Sequence, residues 1–282
     1  MTAARRPADL AEALVALQDT GAIAVAGCTD LMVVDHALAR VHASVVDLSG
    51  LVELRGIRET DGGVWIGAGT TFGELRASSV VAERFPVIAE MSATIGALQI
   101  QNRATVGGNI ANASPAGDSL PVWMALGAEL ELAGPQGTRR LPYDEMHRAY
   151  RETALQPGEL IVGLRLPFGG ADEVQRFCKV GTRAAQAISK VVAALHADAR
   201  DGALHDLRIA AGSVAPTPVR LSAAEQLVEG RPLTAELAAE AGLAAAREVT
   251  PIDDVRSTAD YRRFVLARTV RRMLLRCMGE QI

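Results

Sequence analysis

Residues 104–118 read ATVGGNIANASPAGD, which is the most specific pattern in the chain. Gly107 and Gly108 are followed by Asn, Asn, Ser and Asp, so the run has many short donors and acceptors and little bulk. A flat ligand with many polar groups fits against such a backbone, because no side chain intervenes at the glycines. Asp118 stands at a predicted helix start, where it could cap the helix or accept from ligand hydroxyls. The alternative is an elaborate turn, although fifteen residues of this composition are long for one connection.

A second, shorter glycine loop lies upstream, where Ala26-Gly27-Cys28-Thr29-Asp30-Leu31 follows an apolar run. A glycine here lets the backbone turn tightly and present successive N–H groups to an anion, with the Thr29 hydroxyl as a further donor. The alternative is an ordinary strand-to-helix turn that Thr29 or Asp30 caps, and the local sequence alone favours this turn.

A third glycine segment, Gly67-Ala68-Gly69-Thr70-Thr71-Phe72-Gly73, resembles G-x-G-x-x-G but has one residue too many. It also follows a predicted hairpin strand and does not lie inside a βαβ unit, so a Rossmann nicotinamide site is not supported.

Composition excludes several classes of protein. The chain has 282 residues, 49% of them hydrophobic, with a net charge of -4 and no basic run, which disfavours nucleic acid and anionic membranes as partners. No apolar stretch approaches the roughly 20 residues that span a bilayer, and the N-terminus does not resemble a signal peptide, so we expect a cytoplasmic protein. Three distant cysteines and five scattered histidines predict no metal site on this chain.

Local patterns predict an α+β chain in three parts, 1–56, 57–168 and 169–282. The first part reads as a helix containing Leu10, Leu14 and Leu17, then strands at 22–26 and 45–48. The middle part predicts a hairpin around 61–63, a capping box at Thr71, a helix from Pro86, a helix over 118–127 and a hairpin around 134–137. The last part predicts three antiparallel strands (174–180, 188–196, 204–214) and a helical bundle, with a second capping box at Ser222-Ala223-Ala224-Glu225.

The two loops, in this order and at this separation, resemble the flavoprotein subunits of the xanthine dehydrogenase and carbon monoxide dehydrogenase family of molybdenum hydroxylases. The first loop is similar to that family's AGGTDL pattern. The resemblance continues through four further segments and so covers nearly the whole chain: Thr94-Ile95-Gly96, residues 102–115, Phe177-Cys178-Lys179-Val180-Gly181-Thr182-Arg183 and residues 211–218.

This resemblance implies a vanillyl-alcohol-oxidase-like (PCMH-type) FAD-binding fold in two lobes, with a third lobe over the flavin ring. It implies that Ala26 and Gly27 to Leu31 cradle the pyrophosphate and that Asp118 binds cofactor hydroxyls. Ile161 would touch the ring, and Lys179 would approach its polar end, where a cation stabilises reduced flavin. The other cofactor-binding residues that it implies are Ile95, Gly96, Ala104, Thr105, Gly108, Asn109, Asn112 and Ser114.

The resemblance also implies an electron-transfer subunit with no catalytic residues of its own. The organic substrate would be hydroxylated at a molybdenum–pterin centre on a large partner subunit, and electrons would reach FAD through [2Fe–2S] clusters on a small one. The complex would be a dimer of heterotrimers. Two alternatives stay open: a stand-alone flavin oxidase of the same fold, and an assembly subunit whose glycine loops are vestigial.

Some positions depart from the family pattern. Cys28 replaces a glycine, so its backbone must adopt angles that a side chain can accept. Ala97 and Gln101 stand where aspartate and arginine are usual, and residues 184–187 lack the acidic groups that some NAD⁺-reducing relatives have. Residues 211–218 and 179–190 look closer to purine- and N-heterocycle-oxidising relatives than to the carbon monoxide enzymes.

Overall fold

The computed structural model describes residues 3–19, 21–33, 42, 44–184, 186–277 and 279. The helices are α1 (Leu10–Ala16), α2 (Phe72–Ala77), α3 (Ser79–Arg84), α4 (Pro86–Thr94), α5 (Leu98–Gln101), α6 (Val106–Asn112), α7 (Leu120–Ala125), α8 (Ser222–Val228), α9 (Ala235–Arg247) and α10 (Ala259–Cys277). The strands are β1 (Ala3–Arg5), β2 (Ala22–Val25), β3 (Ser44–Asp47), β4 (Ile57–Thr60), β5 (Gly63–Gly67), β6 (Glu129–Gly134), β7 (Gly137–Pro142), β8 (His147–Ala149), β9 (Glu152–Thr153), β10 (Leu160–Pro167), β11 (Glu173–Val180), β12 (Val191–Arg200), β13 (Ala203–Gly212) and β14 (Val219–Arg220). Short 3₁₀ helices lie at Val52–Leu54 and Tyr143–Glu145.

The N-terminal part is a parallel sheet of three strands in the order β1-β3-β2. Asp9 caps helix α1 by accepting from the Glu12 amide at 2.8 Å. Ala13 of this helix belongs to a small core that also contains Val46 of the central strand and Leu160 of β10, so this core already includes the middle part of the chain. The predicted helix and both predicted strands are confirmed.

The middle part is a five-stranded antiparallel sheet in the order β4-β5-β10-β6-β7. Both predicted hairpins are present as β4–β5 and β6–β7. The predicted capping box is present at the start of α2, where Thr71 and Glu74 satisfy each other's amides, and Pro86 occupies the first turn of α4. The quoted stretch is not one turn, because its residues Val106–Asn112 form helix α6.

The C-terminal part has four strands, β11-β12-β13-β14, and not the predicted three. The extra strand is only Val219–Arg220, too short to give a sequence signal. One face of this sheet, including Phe177 and Val192, packs into the core of the middle part. The opposite face, including Cys178 and Val191, packs under helices α8, α9 and α10.

The second predicted capping box, at Ser222, is wrong. The residue before α8 is Leu221, and its side chain makes no capping hydrogen bond. Glu225 is bound elsewhere, because it accepts from Arg220 at 2.7 and 2.8 Å and from the Ile209 amide at 2.7 Å. These bonds tie α8 to both β13 and β14, which is a stronger use of the carboxylate than a helix cap.

Among the described residues, no helix combines the length and the apolarity needed to cross a bilayer. The same residues contain no group of three or more His, Cys, Asp or Glu side chains placed to hold a metal ion.

Candidate functional site

The first glycine loop leaves the parallel sheet at Val25 and turns at Cys28. Cys28 has a φ of 59°, in the left-handed region that favours glycine. Cys28 therefore has a side chain on a backbone conformation that residues other than glycine rarely adopt. Burial raises the pKa of the Cys28 thiol, and nearby Asp47 raises it further.

The amides of this loop are free to bind a ligand. Among hydrogen bonds between described residues, none uses the backbone N–H of Gly27 to Leu31 or the Thr29 hydroxyl. Two carbonyl groups of the loop are used, since Cys28 accepts from Met32 at 3.2 Å and Asp30 from Val33 at 3.1 Å. A run of free donors in a turn is suited to an anion.

The second segment satisfies its own amides. The hydroxyl of Thr105 caps helix α6 by accepting from the Gly108 amide at 3.2 Å, and the Thr105 carbonyl accepts from Asn109 at 2.9 Å. The Gly107 amide donates to Ala68 at 2.8 Å. The segment is thus held against the strand-end residues of the middle sheet before any ligand binds.

Its two glycines face different surroundings. A Cβ atom on Gly107 would lie 2.6 Å from the Cβ atom of Ala68, so the absence of a side chain at Gly107 allows α6 to pack closely on Ala68. A Cβ atom on Gly108 would approach only the Thr105 hydroxyl, at 2.8 Å. Gly108 lines the cavities described below, and any side chain at this position would project into space that a ligand could fill.

The two loops meet at Gly27. A Cβ atom at this position would lie 1.9 Å from the carbonyl oxygen of Arg103 and 3.1 Å from the Cα atom of Ala104. No side chain fits there, so only glycine lets the first loop pack directly on the second. The two segments therefore lie together on one face of the molecule, joined by backbone contact.

Two adjoining cavities lie along this contact, with volumes of about 210 and 520 Å³. Together they fall in the range of roughly 300–1,000 Å³ typical of ligand sites. The smaller one, here called the apolar cavity, has Leu48, Leu54, Leu155 and Ile161 among its walls. The larger one, here called the polar cavity, is lined by Cys28, Thr29, Asp30, Asn109 and Arg151 among others. Residues of both loops line both: Ala24, Val25, Ala26, Gly27, Thr105, Gly108 and Ala111.

Most residues named from the sequence line one or both cavities: Ala26, Gly27, Cys28, Thr29, Asp30, Leu31, Ile95, Ala104, Thr105, Gly108, Asn109, Asn112 and Ile161. Gly96, Ser114, Asp118 and Lys179 do not. Gly96 has a φ of 52° and serves a turn against Ile100. Ser114 forms the turn after α6, where its carbonyl accepts from the Gly117 amide at 2.9 Å.

Asp118 and Lys179 form a buried ion pair and do not face the cavities. The Lys179 ammonium lies 2.5 Å from Asp118 Oδ2 and donates to the Thr94 carbonyl at 2.9 Å, while Ser189 donates to Asp118 Oδ1. Burial raises the pKa of Asp118, and the Lys179 charge offsets part of that rise. The cap position of α7 belongs to Ser119, so the predicted cap is wrong for Asp118. The pair instead joins the middle part to the C-terminal sheet.

Gln101 has a positioning role. It is buried, and its amide nitrogen donates to the carbonyls of Ile95 at 3.0 Å and Ala93 at 3.2 Å, while Arg76 donates to its oxygen. These bonds fix the turn that places Ile95 in the polar cavity.

Sequence reasoning missed the arginines of the site. Arg103 and Arg55 line the apolar cavity, and Arg151 and His42 line the polar one. Arg151 donates to Asn112 at 3.0 Å and lies 3.9 Å from Asp30. Arg103 lies in the segment 102–115 that carries the family resemblance, which was a usable signal, whereas Arg151 lies in a loop with no motif. Ala68 and Gly69, from the segment dismissed as a nicotinamide site, also line the apolar cavity.

Comparison with known proteins identifies the family. The family described as "FAD binding domain in molybdopterin dehydrogenase" matches residues 2–169, and the family "CO dehydrogenase flavoprotein C-terminal domain" matches residues 176–277. This chain belongs to the FAD-binding subunits of the molybdopterin dehydrogenases. We call it the flavin subunit below.

Individual relatives and a solved structure match over most of this chain and over most of their own length. The xanthine dehydrogenase FAD-binding subunit of Escherichia coli O157:H7 is 32% identical over 91% of this flavin subunit and 89% of its own length. The carbon monoxide dehydrogenase medium chain of Hydrogenophaga pseudoflava is 31% identical over 82% and 80%. A solved structure of carbon monoxide dehydrogenase from Hydrogenophaga pseudoflava superposes with a TM-score of 0.95 at 30% identity, covering 99% of this chain and 97% of that one.

Proposed function

We propose that this flavin subunit transfers electrons within a molybdenum hydroxylase and does not itself oxidise the organic substrate. Electrons would come from [2Fe–2S] clusters on a small partner subunit and leave to an external acceptor such as NAD⁺ or dioxygen. An N-heterocycle such as a purine would be oxidised on a separate molybdenum subunit, in a dimer of heterotrimers. The observation that supports this proposal best is the pair of cavities along the backbone contact at Gly27.

The polar cavity has the donors that a pyrophosphate requires. The free amides of Gly27 to Leu31 and the Thr29 hydroxyl would bind phosphate oxygens without loss of side-chain entropy. Arg151, together with Arg103 from the adjoining apolar cavity, would supply the positive charge that two phosphates need. Arg151 is held by Asn112, which keeps its guanidinium at the cavity.

The apolar cavity has walls that suit a flat ring. Ile161 is 7% exposed, and it lines this cavity with Leu48, Leu54 and Leu155. Gly108 and Thr105 line both cavities, so a dinucleotide that passes from one to the other would lie against backbone that has no bulky side chain. Bound FAD would supply the exchange between one-electron and two-electron transfer.

Asp118 and Lys179 would fix the position of the lobes. Their ion pair joins the turn before α7 to β11, and Lys179 also donates to the carbonyl of Thr94, the residue before cavity-lining Ile95. We propose that the pair holds the C-terminal lobe against the cofactor lobes. The sheets, each built from strands of one range, support the division into lobes 1–56, 57–168 and 169–282.

The test is anaerobic reduction of the purified complex. Adding a purine such as xanthine to the complex should bleach its flavin absorbance, and adding NAD⁺ or oxygen should restore the absorbance. The isolated flavin subunit, loaded with FAD, should not be bleached by the same heterocycle. Bleaching without partner subunits would identify a stand-alone oxidase, and a complex without flavin absorbance would contradict the proposal.

Carbon monoxide is the second candidate substrate of the complex. The close superposition on carbon monoxide dehydrogenase favours it, and the identities to the xanthine and carbon monoxide relatives differ by one percentage point, 32% against 31%. Bleaching of the flavin by carbon monoxide, with no response to N-heterocycles, would select this candidate. The reverse result would select the purine.

A further inference from the structure

We infer that the exposed face of helix α10 is a docking surface for an acidic partner subunit, an inference that rests on the proposed function because it requires a complex. This α10 surface consists of Tyr261, Phe264, Arg268, Arg271 and Arg272. It is separate from the cofactor cavities, none of whose lining residues it shares.

The charge of this helix is the first observation. Residues 259–277 contain six arginines and one aspartate, in a chain whose net charge is -4. Two of these arginines are paired with carboxylates: Arg262 is buried and lies 2.9 Å from Asp254, and Arg263 lies 3.5 Å from Asp260. The other four, Arg268, Arg271, Arg272 and Arg276, are exposed, and Arg272 also donates to Cys178 Sγ at 3.0 Å.

The second observation is that the outward arginines have no acidic partner. Arg268, Arg271 and Arg272 are exposed, and no carboxylate among the described residues pairs with any of them. They line a groove of about 400 Å³ whose floor includes Val180, Val265 and Leu275. Guanidinium groups around an apolar floor match a protein surface with carboxylates around an apolar centre.

The third observation is the exposed apolar surface on the N-terminal half of the same helix. Phe264 is 60% exposed and Tyr261 is 42% exposed, and the Arg268 guanidinium lies 5.5 Å from the Phe264 ring centroid. Val255, in the loop before the helix, is 99% exposed. Aromatic residues together with arginine are the combination enriched at protein interfaces. A small anion in the groove would leave these side chains uncovered, so a protein is the better match.

The α10 surface lies on the far side of the C-terminal sheet from the cofactor cavities. Val180 lies in the groove, whereas Phe177, on the opposite face of β11, packs into the core of the middle part. The C-terminal sheet therefore separates the α10 surface from the cofactor cavities. The partner bound there would hold the assembly together, and the electron donor would bind elsewhere.

The experiment uses the whole complex, purified through a tag on the flavin subunit. Arg268→Glu/Arg271→Glu is compared with Arg140→Glu/Arg148→Glu, which reverses two exposed arginines of the middle part and changes net charge equally. The first variant is expected to raise the dissociation constant of the complex about tenfold or more, and the second to leave it nearly unchanged. Arg268→Gln/Arg271→Gln adds no negative charge and replaces the first variant if that chain folds poorly. Its complex should have a dissociation constant between those of the wild type and the charge-reversed variant.

Salt and flavin content complete the test. Raising the ionic strength from about 0.1 to about 1 M, which shortens the screening length from about 10 to about 3 Å, should weaken the wild-type complex more than the charge-reversed one. Wild-type affinity in the Arg268→Glu/Arg271→Glu complex, or equal loss in the control, would overturn the inference, as would binding of α10 to anionic vesicles in place of the partner. Flavin absorbance is read on every sample, so loss of FAD from the wild type counts against the proposed function and not against the docking surface.

Discussion

The two glycine loops of the site look alike in sequence and differ in how their backbone is satisfied. In residues 105–109 each amide from Val106 to Asn109 already has a partner within the protein, and the Thr105 hydroxyl caps the helix. In residues 27–31 none of the amides has a partner among the described residues. The second segment is therefore a preformed surface, whereas the first is a set of free donors that a ligand completes. A glycine-rich sequence can thus indicate either close packing or ligand binding, and the hydrogen bonds distinguish the two.

The largest effect is expected at the contact between the loops. Gly27→Ala places a methyl group against the Arg103 carbonyl, so it should destabilise the folded chain by about 2–3 kcal/mol and abolish FAD retention. Gly50→Ala is the matched control, since nothing lies within 4 Å of its added Cβ atom. Thermal unfolding and flavin content check both variants. A Gly27→Ala chain with wild-type stability would show that the loops do not pack as described.

The neighbouring glycines of the second segment separate packing from binding. Gly107→Ala should lower stability by about 1–3 kcal/mol, because its methyl group meets Ala68. Gly108→Ala displaces only the Thr105 hydroxyl, so it should lower stability by no more than that cap is worth, about 1 kcal/mol, and weaken FAD binding about tenfold, equivalent to about 1.4 kcal/mol. Unfolding of the FAD-free chains and FAD titration measure the two effects. Equal behaviour of the two variants in both measurements would remove the distinction between a core-facing and a cavity-facing glycine.

The two threonines give the same contrast with a smaller effect. Thr105→Ala removes a helix cap, so it should lower the stability of the FAD-free chain by about 1 kcal/mol. Thr29→Ala removes a hydroxyl that has no partner among the described residues, so stability should hold while FAD binding weakens about threefold to tenfold. A stability loss at Thr29 as large as that at Thr105 would mean that the first loop is also preformed.

The smallest effect is expected at Cys28. Cys28→Gly relieves the left-handed backbone strain of about 1–2 kcal/mol but adds freedom to the unfolded chain, which leaves a gain of about 0.5–1 kcal/mol. Cys28→Ala keeps a side chain in the same conformation and should give no gain. Denaturant unfolding of both variants measures the difference, and a gain for alanine as large as that for glycine would rule out strain as its cause.

The sequence predicted the parts of the fold that depend on local signals. The hairpin around Gly62, the capping box at Thr71 and the proline at the start of α4 follow from backbone chemistry within a few residues, and the structure confirms each. The second capping box failed because Glu225 has a better partner in Arg220. The four-stranded C-terminal sheet was missed because a strand of two residues has no periodicity.

The glycines of the candidate site could be predicted from the sequence, whereas the partners of its charged residues could not. Gly27 and Gly108 stand out because only glycine leaves backbone uncovered, and that property is visible in sequence. The partner of a buried charge is not visible in sequence, and only the structure shows that the Lys179 ammonium is held by Asp118. Arg151 reaches the site from a distant loop, and only the fold brings it to Asn112.

Hydrogen exchange of the backbone amides with and without FAD tests the central claim most directly. The account predicts that the amides of Gly27 to Leu31 exchange rapidly in the FAD-free protein and become strongly protected when FAD binds. The amides of Val106 to Asn109 should be protected in both states, since their partners lie within the protein. Protection of residues 27–31 that does not change on FAD binding, or a folded chain that binds no FAD, would contradict it.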